Sequence, residues 1–240
     1  MATEILLDEW DLELTVDHVL RGQGSDPGRL RQRKPALVEI AEWALDEGRP
    51  LLKPVVLARE LRVDAVRHER LLLEGGAYLT GPLVAQHLAK ADRVVVMACT
   101  IGGLLEEIVS QVMPDDPLRG LALDGLGNAA IETLATQACA FFEEAASHKA
   151  EQASIPLSPG MVGWPVDPGQ RQVFALLETR RIGLSLTSSQ MMAPVKSLTE
   201  VLGFGREMAF QGRTCDFCSL KDTCRYQDHY SQAGEPVHTG

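Results

Sequence analysis

Three cysteines near the end of the chain have the spacing of a shared metal centre. Cys215, Cys218 and Cys224 form a C-x2-C-x5-C pattern. Two thiolates three positions apart bind one soft ion through a tight turn, and a third closes on the same centre. His229 follows Cys224 by five residues and is able to complete a tetrahedral zinc site. The alternatives are a four-iron four-sulfur cluster with one open iron, or a reduced thiol group without an ion.

Three polar residues recur at intervals of four in an otherwise apolar segment. Asp124, Asn128 and Glu132 would stack along one face of a helix. Polar groups on a buried face need partners. We interpret these three either as contacts to the amine or hydroxyl groups of a ligand, or as an internal hydrogen-bond network or a solvated helix edge.

The common nucleotide-binding and hydrolase motifs do not occur in the chain. Thr100-Ile-Gly-Gly103 follows an apolar run and would present helix N–H groups to an anion. It lacks the glycine pattern of a dinucleotide fold and the lysine of a P-loop, so its glycines more simply permit close packing of a helix on a strand. No Gly-x-Ser-x-Gly or His-Glu-x-x-His pattern supports hydrolase chemistry.

Hydrophobic spacing predicts the elements that position these residues. Four consecutive apolar residues within 93–99 are typical of a buried, central strand. Thr100 is predicted to cap the helix that follows it. A turn around Ser188 is expected to join two late strands. The predicted strands are 55–58, 70–73, 93–99, 183–187 and 194–204, and the predicted helices are 37–45, 104–112, 118–149 and 170–178.

A loop rich in proline and glycine interrupts this pattern. Residues 155–169 hold four prolines and three glycines, which are too many for a helix or a central strand. Such loops often hold sites. Trp164 in this loop either lies exposed against a ligand or partner, as interface tryptophans do, or fills the domain's own core.

Composition excludes some classes of function. A formal net charge of -10 and a pI of about 5.1 argue against sequence-independent nucleic-acid binding, which needs clustered lysine and arginine. We find neither an apolar stretch of about 20 residues for a membrane span nor a basic amino-terminal signal. An odd cysteine count suits a reducing compartment. We therefore expect a cytoplasmic protein that binds neither nucleic acid nor membranes.

Five segments carry a resemblance to a known family through their order and spacing. Residues 158–165 read Ser-Pro-Gly-Met-Val-Gly-Trp-Pro, and 191–197 read Met-Met-Ala-Pro-Val-Lys-Ser. Upstream, 17–21 read Asp-His-Val-Leu-Arg, 100–102 Thr-Ile-Gly and 123–132 Leu-Asp-Gly-Leu-Gly-Asn-Ala-Ala-Ile-Glu. Together they resemble the activation domain of cobalamin-dependent methionine synthase and its stand-alone relatives. The resemblance covers about Val16 to Tyr226, and the cysteine group is similar to that of the stand-alone members.

The resemblance implies a fold and a function. The fold would be α+β, with a twisted antiparallel sheet packed with helices. In the family, oxidised cob(II)alamin on a partner is reduced by one electron and remethylated from S-adenosylmethionine, which the activation domain binds. The partner would be a corrinoid-binding protein or a cobalamin-dependent methyltransferase. The residues that match the family's cofactor-binding motifs are Asp124, Glu132, Ser158, Gly160, Trp164 and Lys196.

Two loop positions depart from the family pattern. The family has an arginine four residues before the loop glycine and a tyrosine directly after it, where this chain has Pro156 and Met161. Pro156 offers no side-chain donor for a ligand's carboxylate, and Met161 has neither a phenol hydroxyl nor an aromatic face. We predict that S-adenosylmethionine binds weakly or not at all.

These observations suggest a division of the chain and competing functions. We expect an N-terminal segment at 1–15, an activation-domain-like domain at 16–204, a cysteine-containing metal or cluster module at 205–230, and a disordered tail at 231–240. The leading hypothesis is reductive reactivation, by remethylation, of a partner's cobalamin. The alternatives are a non-catalytic metal-containing docking module and an iron–sulfur electron donor for a corrinoid protein, both without S-adenosylmethionine binding. Whether the protein is itself an enzyme stays open.

Overall fold

An antiparallel sheet forms the centre of the computed structural model, which describes residues 3–208, 212–218 and 221–222. Its strands are β1 (Glu4–Leu7), β2 (Val55–Arg67), β3 (Arg70–Leu73), β4 (Tyr78–Thr80), β5 (Arg93–Thr100), β6 (Gln152–Ala153) and β9 (Ser197–Gly205). Their order is β4-β3-β2-β5-β9-β6, and β1 pairs with β2 outside this path. A separate ribbon joins β7 (Ser185–Leu186) to β8 (Met192–Ala193).

The central position predicted for β5 is confirmed. This strand pairs with β2 on one side and with β9 on the other. Its side chains alternate between two apolar clusters, with Met97 and Cys99 in one and Val96 and Ala98 in the other. Because both faces of the sheet are apolar, both have to be covered by other elements.

Helices cover one face of the sheet. The helices of the fold are α1 (Val16–Gly22), α2 (Pro27–Arg33), α3 (Pro35–Gly48), α4 (Pro82–His87), α5 (Leu104–Val112), α6 (Pro117–Ser147) and α7 (Val166–Leu176). The long α6 lies against the sheet, and α1, α3 and α5 pack around it. Helices α1 and α6 meet closely, since a Cβ on Gly22 would lie 2.0 Å from the backbone oxygen of Gly125. We call this side the helical layer.

The second face is covered by α4, α7 and the proline- and glycine-rich loop. Leu157 in this loop forms an antiparallel bridge with Val201 of β9. Met161 and Trp164 pack in the same apolar cluster as Val173 of α7. We call this side the loop layer. It places the loop directly on the sheet.

Three local predictions from the sequence are wrong. Thr100 does not cap α5, whose N-cap is Gly103; its hydroxyl accepts hydrogen bonds from the Gly102 N–H and the Ser197 hydroxyl. Helix α7 begins at Val166 and not at residue 170. The strand at 183–187 is only the two-residue β7, and its partner is β8 rather than the start of β9.

The amino-terminal segment is joined to the rest of the domain. Strand β1, within the segment 1–15, pairs with β2, and the Glu4 carboxylate accepts hydrogen bonds from the Glu178 N–H and from Arg181. The predicted disordered tail at 231–240 lies outside the described residues. Among the residues described, no helix is both long and apolar enough to span a membrane.

Candidate functional site

Lys196 is the centre of a polar network in the helical layer. Its Nζ donates to Asn128 Oδ1 at 2.6 Å and pairs with Asp124 Oδ1 at 2.6 Å. Asn128 Nδ2 in turn donates to the backbone oxygen of Gly22 at 3.0 Å and to Asp124 Oδ2 at 3.3 Å. The structure therefore joins Asp124 and Asn128 of α6 to Lys196, so these two helix residues form an internal hydrogen-bond network, which was one of the interpretations that the sequence left open.

The sheet and a glycine on α6 together position Lys196. The residue immediately precedes β9, and its carbonyl accepts the Ile101 N–H at 3.3 Å. Its side chain crosses α6 at Gly127, where an added Cβ would lie 3.1 Å from the lysine Cε. The Lys196 side chain is 13% exposed, whereas that of Asp124 is 38% exposed. Asp124 is thus more accessible to solvent than Lys196.

Glu132 lies one helical turn beyond this network. Burial raises the pKa of its carboxyl group. Within the part of the chain that the structure describes, its side chain has no hydrogen-bond or ion-pair partner. A partly buried carboxyl group without a partner is suited to receive a cationic or hydrogen-bond-donating group of a ligand.

Exposed apolar side chains occur in the segment that leads to Lys196 and at the first residue of α5. Leu104, Met191 and Val195 are 40%, 56% and 56% exposed. The Pro194 ring would lie 3.5 Å from a Cβ on Gly103, and the Val195 N–H donates to Glu106 Oε2 at 2.8 Å, so the segment is held against the start of α5. We call Leu104, Met191 and Val195 the apolar rim. The sequence analysis did not identify the apolar rim, although an apolar run in a segment bounded by turns was a usable indication of it.

Trp164 is fully buried in the loop layer. It is 0% exposed and packs in the apolar cluster that also contains Met161 and Leu157. An added Cβ on Gly81 would lie 3.2 Å from the Trp164 ring and 2.7 Å from the Gly163 oxygen. Of the two roles expected from the sequence, the core role agrees with this burial, and an exposed face for a ligand or partner does not.

The rest of the loop folds back on itself. Met161 is 8% exposed, and its sulfur accepts the Ser158 N–H at 3.1 Å. The N–H of Gly160, whose φ is 109°, donates to the Trp164 carbonyl at 2.7 Å. This positive φ favours glycine, which explains why a glycine occupies the position. Met161 therefore lies in the core of the loop layer and not at its surface.

The predicted site residues fall into two separate groups. Asp124, Glu132 and Lys196 belong to the helical layer, whereas Ser158, Gly160 and Trp164 belong to the loop layer. No hydrogen bond or ion pair joins one group to the other among the residues that the structure describes. The structure does not gather the six matched residues into one cluster.

The cysteine segment packs on the loop layer. Residues Thr214–Phe217 form a short 3-10 helix, and the Cys218 N–H donates to the Cys215 carbonyl at 3.2 Å. The Val162 N–H donates to the Phe217 carbonyl at 2.8 Å. The Phe217 ring contacts the His87 ring edge-on at a centroid distance of 4.6 Å. The first two cysteines are therefore held beside the proline- and glycine-rich loop.

The described residues contain only part of the predicted metal site. Cys215 and Cys218 lie in one turn, but Cys224 and His229 lie outside the described residues. Over 3–208, 212–218 and 221–222, no group of three or more His, Cys, Asp or Glu side chains is arranged to hold a metal ion. Metal or cluster binding stays a prediction.

Comparison with known proteins identifies the fold. No protein-family model and no curated protein matches the chain. A solved structure described as the MetH reactivation domain bound to AdoHcy is 15% identical in sequence and has a TM-score of 0.60. The match covers 95% of this chain and 86% of that chain. The predicted α+β fold with an antiparallel sheet is confirmed, and the chain has the fold of the MetH reactivation domain.

Proposed function

We propose that this protein supports reductive reactivation, by remethylation, of the cobalamin of a partner methionine synthase or corrinoid methyltransferase. The observation that carries the proposal is the likeness to the MetH reactivation domain over 95% of the chain. That neighbour was solved with AdoHcy, the product of methyl transfer from S-adenosylmethionine. The order of five family-like segments in the sequence supports the same conclusion independently of the fold.

The helical layer supplies the groups that would position a ligand and a partner. Asp124 and Glu132 would offer carboxylates to a cationic group, and Lys196 holds Asp124 in place. The apolar rim would bury its three side chains against the partner's corrinoid-bearing surface. The contribution of this protein would be to hold reacting groups in a fixed geometry and to exclude water.

Two residues of the loop layer, Pro156 and Met161, are expected to lower the affinity of this protein for S-adenosylmethionine. Pro156 has no donor for the ligand's carboxylate. Met161 is turned into the core and is bonded to the Ser158 N–H, so it presents no group at the surface. The loss of one charge-assisted hydrogen bond costs roughly 1.5 to 3 kcal/mol, which is about ten- to a hundredfold in affinity.

Anaerobic reactivation tests the proposal. Cobalamin-loaded methionine synthase that lacks its own reactivation domain is oxidised, and recovery of turnover is measured with added reductant, S-adenosylmethionine and this protein. We expect recovery, reduced in Glu132→Gln and unchanged in Glu144→Gln, an exposed position on the same helix. No recovery under conditions in which the MetH reactivation domain succeeds would overturn the proposal.

A second candidate is a metal-containing docking module or an iron–sulfur electron donor that does not bind S-adenosylmethionine. Contact of Phe217 with Val162 favours it, because this contact holds Cys215 and Cys218 against the domain. Cys224 and His229 would complete the ligand set. Metal and sulfide analysis of anaerobically purified protein tests it. Iron with sulfide supports the electron donor, zinc supports a structural module, and neither in near-stoichiometric amount rejects this candidate.

A further inference from the structure

Glu200 is an acidic residue buried between the sheet and α6. It lies on β9 opposite Met97 of β5, so its side chain faces the helical layer as that of Met97 does. The Cys139 thiol of α6 donates a hydrogen bond to Glu200 Oε2 at 3.2 Å. Because Glu200 belongs to the sheet and Cys139 to the helix, this hydrogen bond joins β9 to α6.

No positive charge balances Glu200 within the described part of the chain. Neither a lysine nor an arginine forms an ion pair with it there, and Lys196, which precedes β9, is bonded to Asp124 and Asn128. Removing an isolated carboxylate from water costs far more free energy than removing a neutral carboxyl group. The buried position of Glu200 therefore favours its protonated form.

The titratable groups around Glu200 supply no positive charge either. On α6 they are Cys139, Glu132 and Glu143, and on β5 the group is Cys99. Burial, followed by the charge of Glu200, raises the pKa of both thiols, so the thiols keep their protons near neutral pH. Burial raises the pKa of Glu200 to about 7; the Cys139 hydrogen bond opposes this rise and the Glu132 charge adds to it. Glu200 thus loses its proton near neutral pH, whereas the thiols do not.

Loss of this proton leaves a negative charge beside an apolar cluster. Water reaches that charge only if α6 moves away from β9 or if water enters between them. Helix α6 also carries Asp124 and Asn128, which are bonded to Lys196 at the start of β9. A displacement of α6 from β9 would therefore act on this polar network as well.

We propose that the hydrogen-bonded side chains of Glu200 and Cys139 form a proton-controlled joint between β9 and α6, closed while Glu200 is protonated and opened when it is ionised. On opening, the O–H bond of Glu200 breaks and the proton passes to water, while Cys139 keeps its S–H bond. The joint goes beyond the proposed function and does not depend on it.

Labelling of Cys139 with a maleimide measures how often the joint opens. Cys139 is 8% exposed, so its thiol reacts when α6 has moved away from the sheet. The rate at Cys139 is read by peptide mass spectrometry of the unliganded, full-length protein and divided by the rate of a cysteine model peptide at the same pH. This division removes the pH dependence of the thiol itself. We expect the normalised rate to rise about tenfold from about pH 6 to about pH 8.

Two substitutions separate the joint from a general effect of pH. Glu200→Gln and Glu200→Met remove the ionisable group and keep a side chain of similar length, so the normalised rate should change by less than about twofold over the same range. Glu144→Gln, at an exposed position on α6, is the control and should follow the wild type. A flat profile in the wild type, or the wild-type rise in a Glu200 variant, would overturn the proposal. If one Glu200 variant does not fold, the other decides.

Thermal unfolding gives a second readout. Folding raises the pKa of Glu200, so the stabilising effect of its neutral form is complete below the ordinary glutamate pKa and is lost as the pH rises through about 7. We expect the melting temperature of Glu200→Met relative to wild type to be several degrees higher at about pH 8 than at about pH 5, with Glu144→Gln parallel to wild type. Parallel curves for Glu200→Met and wild type would contradict the joint.

Discussion

The residues that resemble the family's motifs differ in exposure and bonding between the two faces of the sheet. In the helical layer, Asp124 and Lys196 keep their polar chemistry in a hydrogen-bonded network near solvent. In the loop layer, Met161 and Trp164 have become core residues. Resemblance to a motif therefore does not by itself place a side chain at a surface that a ligand could reach. The loop motif here maintains the shape of the fold.

The largest expected effect tests the structural role of the loop layer. Trp164→Ala removes a fully buried ring, so we expect the free energy of unfolding to fall by roughly 3 to 5 kcal/mol in urea titration. Trp43→Ala, at a half-buried position where Arg119 lies over the ring, is the control and should cost less. Unchanged stability with weaker partner binding would instead show an exposed, functional tryptophan.

A second prediction tests how tightly the helical layer is packed. Gly22→Ala would put a Cβ 2.0 Å from the Gly125 backbone oxygen, so α1 has to shift away from α6. We expect a loss of about 2 to 3 kcal/mol in thermal or urea unfolding. Gly28→Ala in α2, where the new Cβ would lie 3.3 Å from a side-chain oxygen of Asp26, is the matched control. Equal effects at the two glycines would argue against the close helix approach.

The polar network should contribute less than the tryptophan. Lys196→Met keeps the apolar stem but leaves Asp124 and Asn128 without their shared donor. Because Asp124 is 38% exposed and stays hydrated, we expect a cost of about 1 to 2 kcal/mol. Lys149→Met, at an exposed position, should be nearly neutral. A cost as large as that of Trp164→Ala would show that the network is mainly structural.

Two exposed valines, one on each side of the sheet, are expected to have the smallest effect on stability. Val195 in the apolar rim and Val162 in the loop layer are 56% and 58% exposed. Changing either to serine should alter stability by no more than about 0.5 kcal/mol. We expect Val195→Ser to weaken binding to cobalamin-loaded methionine synthase in a pull-down, while Val162→Ser does not. The reverse result would favour docking through the cysteine segment.

Regular elements were predictable from local patterns. Continuous apolar residues predicted β5, and the long run of small and apolar residues predicted α6. The start of α7 was missed because proline and glycine, here Pro168 and Gly169, usually break helices. Both lie in the first turn of α7, where a backbone N–H has no acceptor within the helix, so a proline there costs no hydrogen bond. Such exceptions depend on position within the element.

The site was only half predictable. The spacing of Asp124, Asn128 and Glu132 identified one polar helix face, but the contact with Lys196 joins residues far apart in the chain. Local sequence carries no signal for such a contact. Burial of Glu200 was missed, although a lone charged residue in an apolar central strand was a usable signal.

The most direct test of the contrast between the layers is calorimetric titration of the protein with S-adenosylmethionine. The loop has Pro156, which has no side-chain donor, and Met161, which is buried, at the two positions where the resemblance led us to expect an arginine and a tyrosine. We predict weak or no heat of binding in the wild type, and stronger binding in Pro156→Arg combined with Met161→Tyr. Low-micromolar binding by the wild type would contradict our prediction that the loop does not hold this ligand.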